Sequence, residues 1–340
     1  MFPTSSFVVD VHSHFYPERY ISLLRSRKTS PRITENNQLL ILPSEDTSSP
    51  QGRPIRPEYS DMDSRLNFMN THAIDHSIIS LANPWVSFLD SDEARKLSSE
   101  INCDLFSLSS PRISAFGCLP ISVPDIVEEL GNIKRLGLKG VILGTSGVGK
   151  GLDDPDFLPV FSELERLGII AFIHPHFGVG DIYGDRNNGH VLPLALGFPF
   201  ETTVAVTRLI LSGTFDKFPK LKILLAHSGG VLPYLYGRID SCVMHDPQVN
   251  NRLKELPSYY LKNNFFYDAV GYSQENLELL RSFVGDEGIL FGTDYPFFPP
   301  LNSAPEWQSV NMNKRAISSQ DSEFVLKAMG RNAEKIFDLT

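Results

Sequence analysis

The chain has 340 residues, 41% hydrophobic and 21% charged, the balance of a globular protein able to bury a core. Its formal net charge of −9 argues against nucleic-acid binding, yet leaves room for an anionic small molecule held by a few arginines. Three scattered cysteines, Cys103, Cys118 and Cys242, form neither a disulfide framework nor a zinc knuckle, so a reducing, cytoplasmic setting is expected. The opening MFPTSSFVVDVHSHF lacks a basic region followed by an apolar run, so no signal peptide is expected. No stretch reads as the roughly 18 apolar residues of a membrane span.

In chain order, short β-branched and apolar runs predict eight strands. They lie at Phe7–Val11, Ser77–Leu81, Ile113–Cys118, Val141–Leu143, Ile169–Ile173, Leu221–Leu225, Phe265–Tyr267 and Ile289–Phe291. Helical patterns intervene, among them Ile126–Leu136 before Gly137, Leu158–Leu167 before Gly168, and Thr203–Leu211. Eight strands alternating with helices predict a parallel sheet closed into a (β/α)8 TIM barrel, with an open doubly wound sheet as the alternative. Three segments do not fit the repeating unit: 20–59, 177–199 and 240–262. They read as long βα-loop insertions at the mouth of one barrel domain spanning 1–340.

His12 and His14 form an H-x-H pair at the end of the first strand. Alternate strand residues project to one side, so both imidazoles can reach one ion. His174 ends the fifth strand, His227 the sixth and Asp294 the eighth. Each alone would read as structural. Together they converge, because barrel strand ends meet at one mouth. His12, His14, His174 and Asp294 are therefore expected to hold one divalent metal, zinc first and manganese second, with a position open for substrate. His227 is expected outside the ligand set, as a general acid/base. His176 could replace His174. His72, His76, His190 and His245 read as surface or supporting residues, although His190 could line the pocket.

Gly144–Lys150 has Walker A spacing after a strand. Gly151 stands where Ser or Thr would hold magnesium, and no helix follows directly, so no nucleotide is expected there.

Val-Asp-Val-His-Ser-His, His174-Pro175, Glu201-Thr202-Thr203, Ala226-His227-Ser228-Gly229-Gly230, Gly237-Arg238-Ile239 and Gly292-Thr293-Asp294-Tyr295-Pro296 together resemble the decarboxylase branch of the amidohydrolases. That branch holds the aminocarboxymuconate-semialdehyde, resorcylate and dihydroxybenzoate decarboxylases. Within it, Ile79–Trp85, Leu143–Ser146, Gly151–Pro155, His190–Phe198 and Phe297–Pro300 are similar to the fungal isoorotate (uracil-5-carboxylate) decarboxylases. Tyr295 departs from these, which are expected to carry His there. The resemblance implies non-oxidative decarboxylation of a small pyrimidine or aromatic carboxylate. Uracil-5-carboxylate comes first, then 6-methylsalicylate, a resorcylate or aminocarboxymuconate semialdehyde, and a hydrolase last. It further implies that Arg53 and Arg238 hold substrate, that Asn83 bonds the ring edge and that Phe198 packs on the ring face. Asp294 or His227 would deliver a proton. A homo-oligomer is implied, in which Arg238 could act in the site of its own subunit or of a neighbour. Hydrolytic relatives often bridge two metals with a carbamylated lysine. No lysine here ends a strand except Lys150, well into a loop, so one metal is expected.

Overall fold

The computed structural model describes residues 7–47, 52–176, 190–301 and 304–339. Eleven strands lie among them. They are β1 (Val9–His14), β2 (Arg32–Ile33), β3 (Gln38–Leu40), β4 (Arg53–Pro54), β5 (His76–Ser80), β6 (Ile113–Gly117), β7 (Gly140–Gly144), β8 (Ala171–His174), β9 (Ile223–Leu225), β10 (Phe265–Asp268) and β11 (Ile289–Leu290). Eight of them form one parallel sheet in the order β1-β5-β6-β7-β8-β9-β10-β11. The circle closes where Val11 N–H donates to Phe291 O (3.0 Å) and His14 N–H to Tyr295 O (2.7 Å). The fold is thus the (β/α)8 barrel that the alternating runs predict, with all eight expected strands present.

The strands are near-continuous apolar runs because barrel strands are buried on both faces. Val141, Phe172, Ile173, Leu224, Leu225 and Leu290 are all within this core. β1 breaks the rule: all six residues are buried, but Asp10, His12, Ser13 and His14 are polar. Its register against β5 shifts between Asp10 and Ser13, a local irregularity of the kind that re-aims side chains beside functional sites. Asp10 compensates beneath the site. Its carboxylate accepts from Thr293 Oγ1 (2.7 Å), Thr293 N–H (3.0 Å) and His12 N–H (3.2 Å).

Helices Val123–Leu136 and Leu158–Leu167 stop where the sequence places Gly137 and Gly168, at φ 78° and 65°. The segments outside the repeating unit carry structure of their own. Within 20–59, β2, β3 and β4 make a small antiparallel sheet, with Leu39 opposite Arg53. Strands of two or three residues carry too few alternations to read from sequence. Segment 240–262 is mostly helical, completing Leu232–His245 and adding Pro247–Asn250 and Pro257–Asn263. The third segment falls largely on 177–189, outside the described residues. Finally, Pro193–Leu211 is long and apolar enough, by length and composition, to cross a membrane, with mean hydropathy 1.4. It forms the helical layer between β8 and β9, and Glu201 and Arg208 interrupt its apolar run.

Candidate metal centre and active site

His12, His14, His174 and Asp294 meet at the C-terminal mouth of the barrel. One ligand atom from each lies within 4.8 Å of every other, and all four residues are buried. The Nε2 atoms of His12 and His14 are 3.1 Å apart. Asp294 Oδ1 lies 3.4 Å from the first and 3.5 Å from the second. Each imidazole has its other nitrogen committed. His12 Nδ1 donates to Asp268 Oδ2 (2.5 Å), His14 Nδ1 meets Ser80 Oγ (3.0 Å), and His174 Nδ1 donates to Pro175 O (2.8 Å). These bonds leave the Nε2 lone pairs turned toward the common centre. Phe172, 4.9 Å from the His12 ring, floors the site with apolar surface.

Asp294 reaches the site from a loop. It lies beyond β11, at φ 60°, with its N–H on His12 O (2.8 Å). Gly292 permits this approach, since a Cβ there would stand 2.8 Å from His12 Cβ.

The electrostatics suit a cation. Burial pushes His14 down to about 4 and His174 well below the usual imidazole range, so both offer free lone pairs at neutral pH. Burial acts the same way on His12, but Asp294 and Asp268 outweigh it and raise that ring to about 10. The same two negative charges would favour a bound cation in place of the proton. Burial would raise the Asp294 carboxyl, yet the surrounding imidazoles, His12 foremost, hold it well below the usual range. His174 Nε2 is buried without any partner. A buried orphan lone pair is costly, and a divalent ion satisfies it. Three imidazoles and a carboxylate are a fitting donor set for such an ion.

His227 stands beside this set. Its Nε2 is 3.7 Å from Asp294 Oδ2, and its ring centroid is 5.2 Å from those of both His12 and His174. Phe198, half-buried, lies 6.2 Å from the rings of both His174 and His227, over the gap between β8 and β9. Arg53 lies over Phe297 (5.7 Å), which in turn meets His14 edge-on (5.4 Å). Asn83 is buried and donates its amide to His176 O (2.7 Å). Arg238 is different. It is exposed on helix Leu232–His245 and has no described contact with the site of its own chain.

Other expectations resolve as follows. His176 is not in the four-residue cluster; its ring nitrogens meet Ser146 Oγ (3.2 Å) and Ser87 Oγ (3.4 Å), so His174 and not His176 joins the set. His72 and His76, expected at the surface or as support, are both buried. His72 Nε2 accepts from Trp307 N–H, and His76 opens β5 against Ser114. His190 and His245 are exposed. Tyr295, the departing residue, packs its ring on Phe68 (3.8 Å) and Trp307 (4.8 Å) under Arg65. Its identity therefore bears on the packing behind Asp294. The glycine-rich loop after β7 leads to Pro155–Phe157 and only then to an α-helix, so it lacks the phosphate-binding geometry.

Two supporting residues escaped the sequence reading, Asp268 and Tyr272. Asp268 follows the expected seventh strand directly, but no local pattern marks it. Tyr272 holds a buried hydroxyl without a partner, beside Phe298.

Fold and site together define a class: a barrel enzyme with a buried His/Asp centre suited to one divalent metal. The amidohydrolase family profile matches residues 103–339, and the chain belongs to that family. Its relatives include the 2-amino-3-carboxymuconate-6-semialdehyde decarboxylase of Dictyostelium discoideum, 30% identical over 300 residues, covering 86% of this chain and 82% of the relative. Among solved structures, IDCase (isoorotate decarboxylase) of Metarhizium anisopliae superposes with TM-score 0.93 at 38% identity, covering 98% of this chain and 97% of the other. The 5-carboxyvanillate decarboxylase of Novosphingobium aromaticivorans, solved with manganese and a nitrobenzoic acid, gives TM-score 0.80 at 25% identity, covering 98% and 96%. This chain is a metal-dependent decarboxylase, a carboxy-lyase of the amidohydrolase superfamily.

Proposed function

We propose that this decarboxylase converts uracil-5-carboxylate (isoorotate) to uracil and carbon dioxide, a reaction of pyrimidine salvage. The supporting observation is the pair Asp294–His227, set between three converging imidazoles and the Phe198 ring in a chain 38% identical to IDCase. His12, His14, His174 and Asp294 would hold the ion, zinc or manganese. When bound it supplies Lewis-acid attraction for the substrate carboxylate and the adjacent carbonyl oxygen.

The chain's own groups do the rest. Direct loss of carbon dioxide would leave a poorly stabilised vinyl anion. Adding a proton to the carboxylate-bearing carbon first makes that carbon tetrahedral. The carbon–carbon bond then breaks, its electrons restore the ring double bond, and carbon dioxide departs. One proton enters per turnover, and water replaces it. The Asp294–His227 pair holds that proton. Arg53 binds polar substituents by charge-assisted hydrogen bonds, Asn83 reads the ring edge, and Phe198 covers its face. Arg238 contributes from a second copy of the chain in a homo-oligomer. A cytoplasmic setting accords with three unpaired cysteines.

The test is a panel of acids offered to metal-loaded protein: uracil-5-carboxylate, 6-methylsalicylate, a resorcylate, 5-carboxyvanillate and aminocarboxymuconate semialdehyde. Carbon dioxide release is expected with the highest kcat/KM on uracil-5-carboxylate. A higher value on another acid reassigns the substrate. Ring opening of an amide or lactone without carbon dioxide would defeat the reading. In the same assay, Arg53→Ala is expected to raise KM about 10-fold or more, the effect of losing a charged hydrogen bond to substrate. Its melting temperature should stay near wild type, because Arg53 lies on a small outer sheet. An unchanged KM would remove it from the binding site.

A further inference from the structure

We infer that Asp268 is a positioning residue that holds the metal ligand His12 and the proton-bearing His227 in one frame. This rests on the metal site and proton pair described above. Four N–H groups converge on its carboxylate, which is fully buried. Oδ2 accepts from His12 Nδ1 (2.5 Å) and from the main chain of His227 (3.0 Å). Oδ1 accepts from the main chain of Ser228 (2.8 Å) and of Val270 (3.1 Å). Every group facing it is a donor. Only a side chain with two acceptor oxygens and no hydrogen meets that demand.

Each half of this arrangement serves a different part of the chemistry. The bond to His12 keeps the proton on Nδ1 and turns the Nε2 lone pair toward Asp294 and His14. The bonds to His227 and Ser228 hold a turn in which both residues adopt left-handed backbone, φ 54° and 56°. Side-chain-bearing residues rarely keep that conformation unless neighbours impose it. Ser228 Oγ adds a further bond to the Asp268 carbonyl (3.1 Å). The turn fixes where the His227 ring stands relative to Asp294. A shift of one functional histidine is thus transmitted to the other through a single rigid carboxylate.

Asp268→Asn keeps the shape but presents an NH2 to two of the four donors, whichever way the amide is turned. The variant is compared with wild type in three measurements. Manganese affinity is read by chelator competition, which needs no substrate. The absorption spectrum of the cobalt(II)-substituted protein reports ligand geometry. At saturating metal, kcat and KM are read with whichever panel acid releases carbon dioxide. The expected results are a metal Kd raised about 10- to 100-fold, an altered cobalt spectrum, and kcat lowered about 10-fold or more with little change in KM. Wild-type metal affinity with an unaltered spectrum would overturn the role toward His12. Full recovery of kcat at saturating metal would overturn the coupling to His227. Should Asp268→Asn fail to fold, proton NMR of the wild-type protein decides: a far-downfield, slowly exchanging Nδ1 proton on His12 supports the inference, and a rapidly exchanging one at the ordinary imidazole position overturns it. Absence of turnover on every acid by wild type would sink the substrate assignment, while the metal and cobalt measurements would still test Asp268.

Discussion

Asp294→Asn is expected to abolish turnover, lowering kcat about 1,000-fold or more, the upper range for loss of a general acid–base group. Two effects combine. Among the described residues the carboxylate is the one negative charge in the four-residue cluster, with Oδ1 3.4 and 3.5 Å from the Nε2 atoms of His12 and His14. An amide of the same shape keeps an oxygen but loses the charge that attracts a cation. It also removes the charged oxygen that stands 3.7 Å from His227 Nε2, the partner it has in the proposed proton transfer. The fold should persist, because Asp294 is tied to β1 through its main chain, which the substitution leaves in place. Asn also tolerates the φ of 60° at this position. Metal content, melting temperature and single-turnover rate should be read together. Near-wild-type turnover at full metal occupancy would remove Asp294 from the proton transfer.

His227→Ala, and better His227→Asn, is expected to keep the metal and lose activity by about 100- to 10,000-fold. Asn is the cleaner replacement, because position 227 sits at φ 54° and Asn accepts left-handed backbone more readily than Ala. The two substitutions separate strain from chemistry. A loss shared by both belongs to the imidazole. A loss seen only with Ala belongs to the turn. Metal retention is expected because the four-residue cluster does not include His227. Loss of metal in His227→Asn would instead place the ring among the ligands.

Asp294 and His227 differ in their surroundings, which is why both variants are needed. Neighbouring imidazoles stabilise the charged form of Asp294. His227 is the more exposed partner, at 15% against 6% for the side chains. A proton arriving from solvent meets His227 first, and Asp294 lies between it and the His12 and His14 rings.

The parallel sheet, with a barrel preferred to an open doubly wound sheet, and the residues that meet at the candidate metal centre were legible in the sequence. Eight apolar runs separated by helical patterns already require a parallel sheet, because strands buried on both faces leave that signature. Two histidines spaced by one residue on a strand share a side by local geometry. His174, His227 and Asp294 were legible because a barrel brings strand ends to one mouth whatever lies between them. The tertiary structure decided what no local rule encodes. Asp268 ends a run that reads only as a strand, and its partner His12 lies 256 residues earlier. Tyr295 read only as a departure from the resemblance, and the structure puts its ring against Phe68 and Trp307. Arg53 rides on a sheet whose strands are too short to show alternation, and Arg238 stands exposed on helix Leu232–His245. In each case the deciding contact joins segments remote in sequence. A hydrogen bond or ring contact of that kind depends on where the closed barrel puts both partners, and neither partner's neighbours along the chain record it.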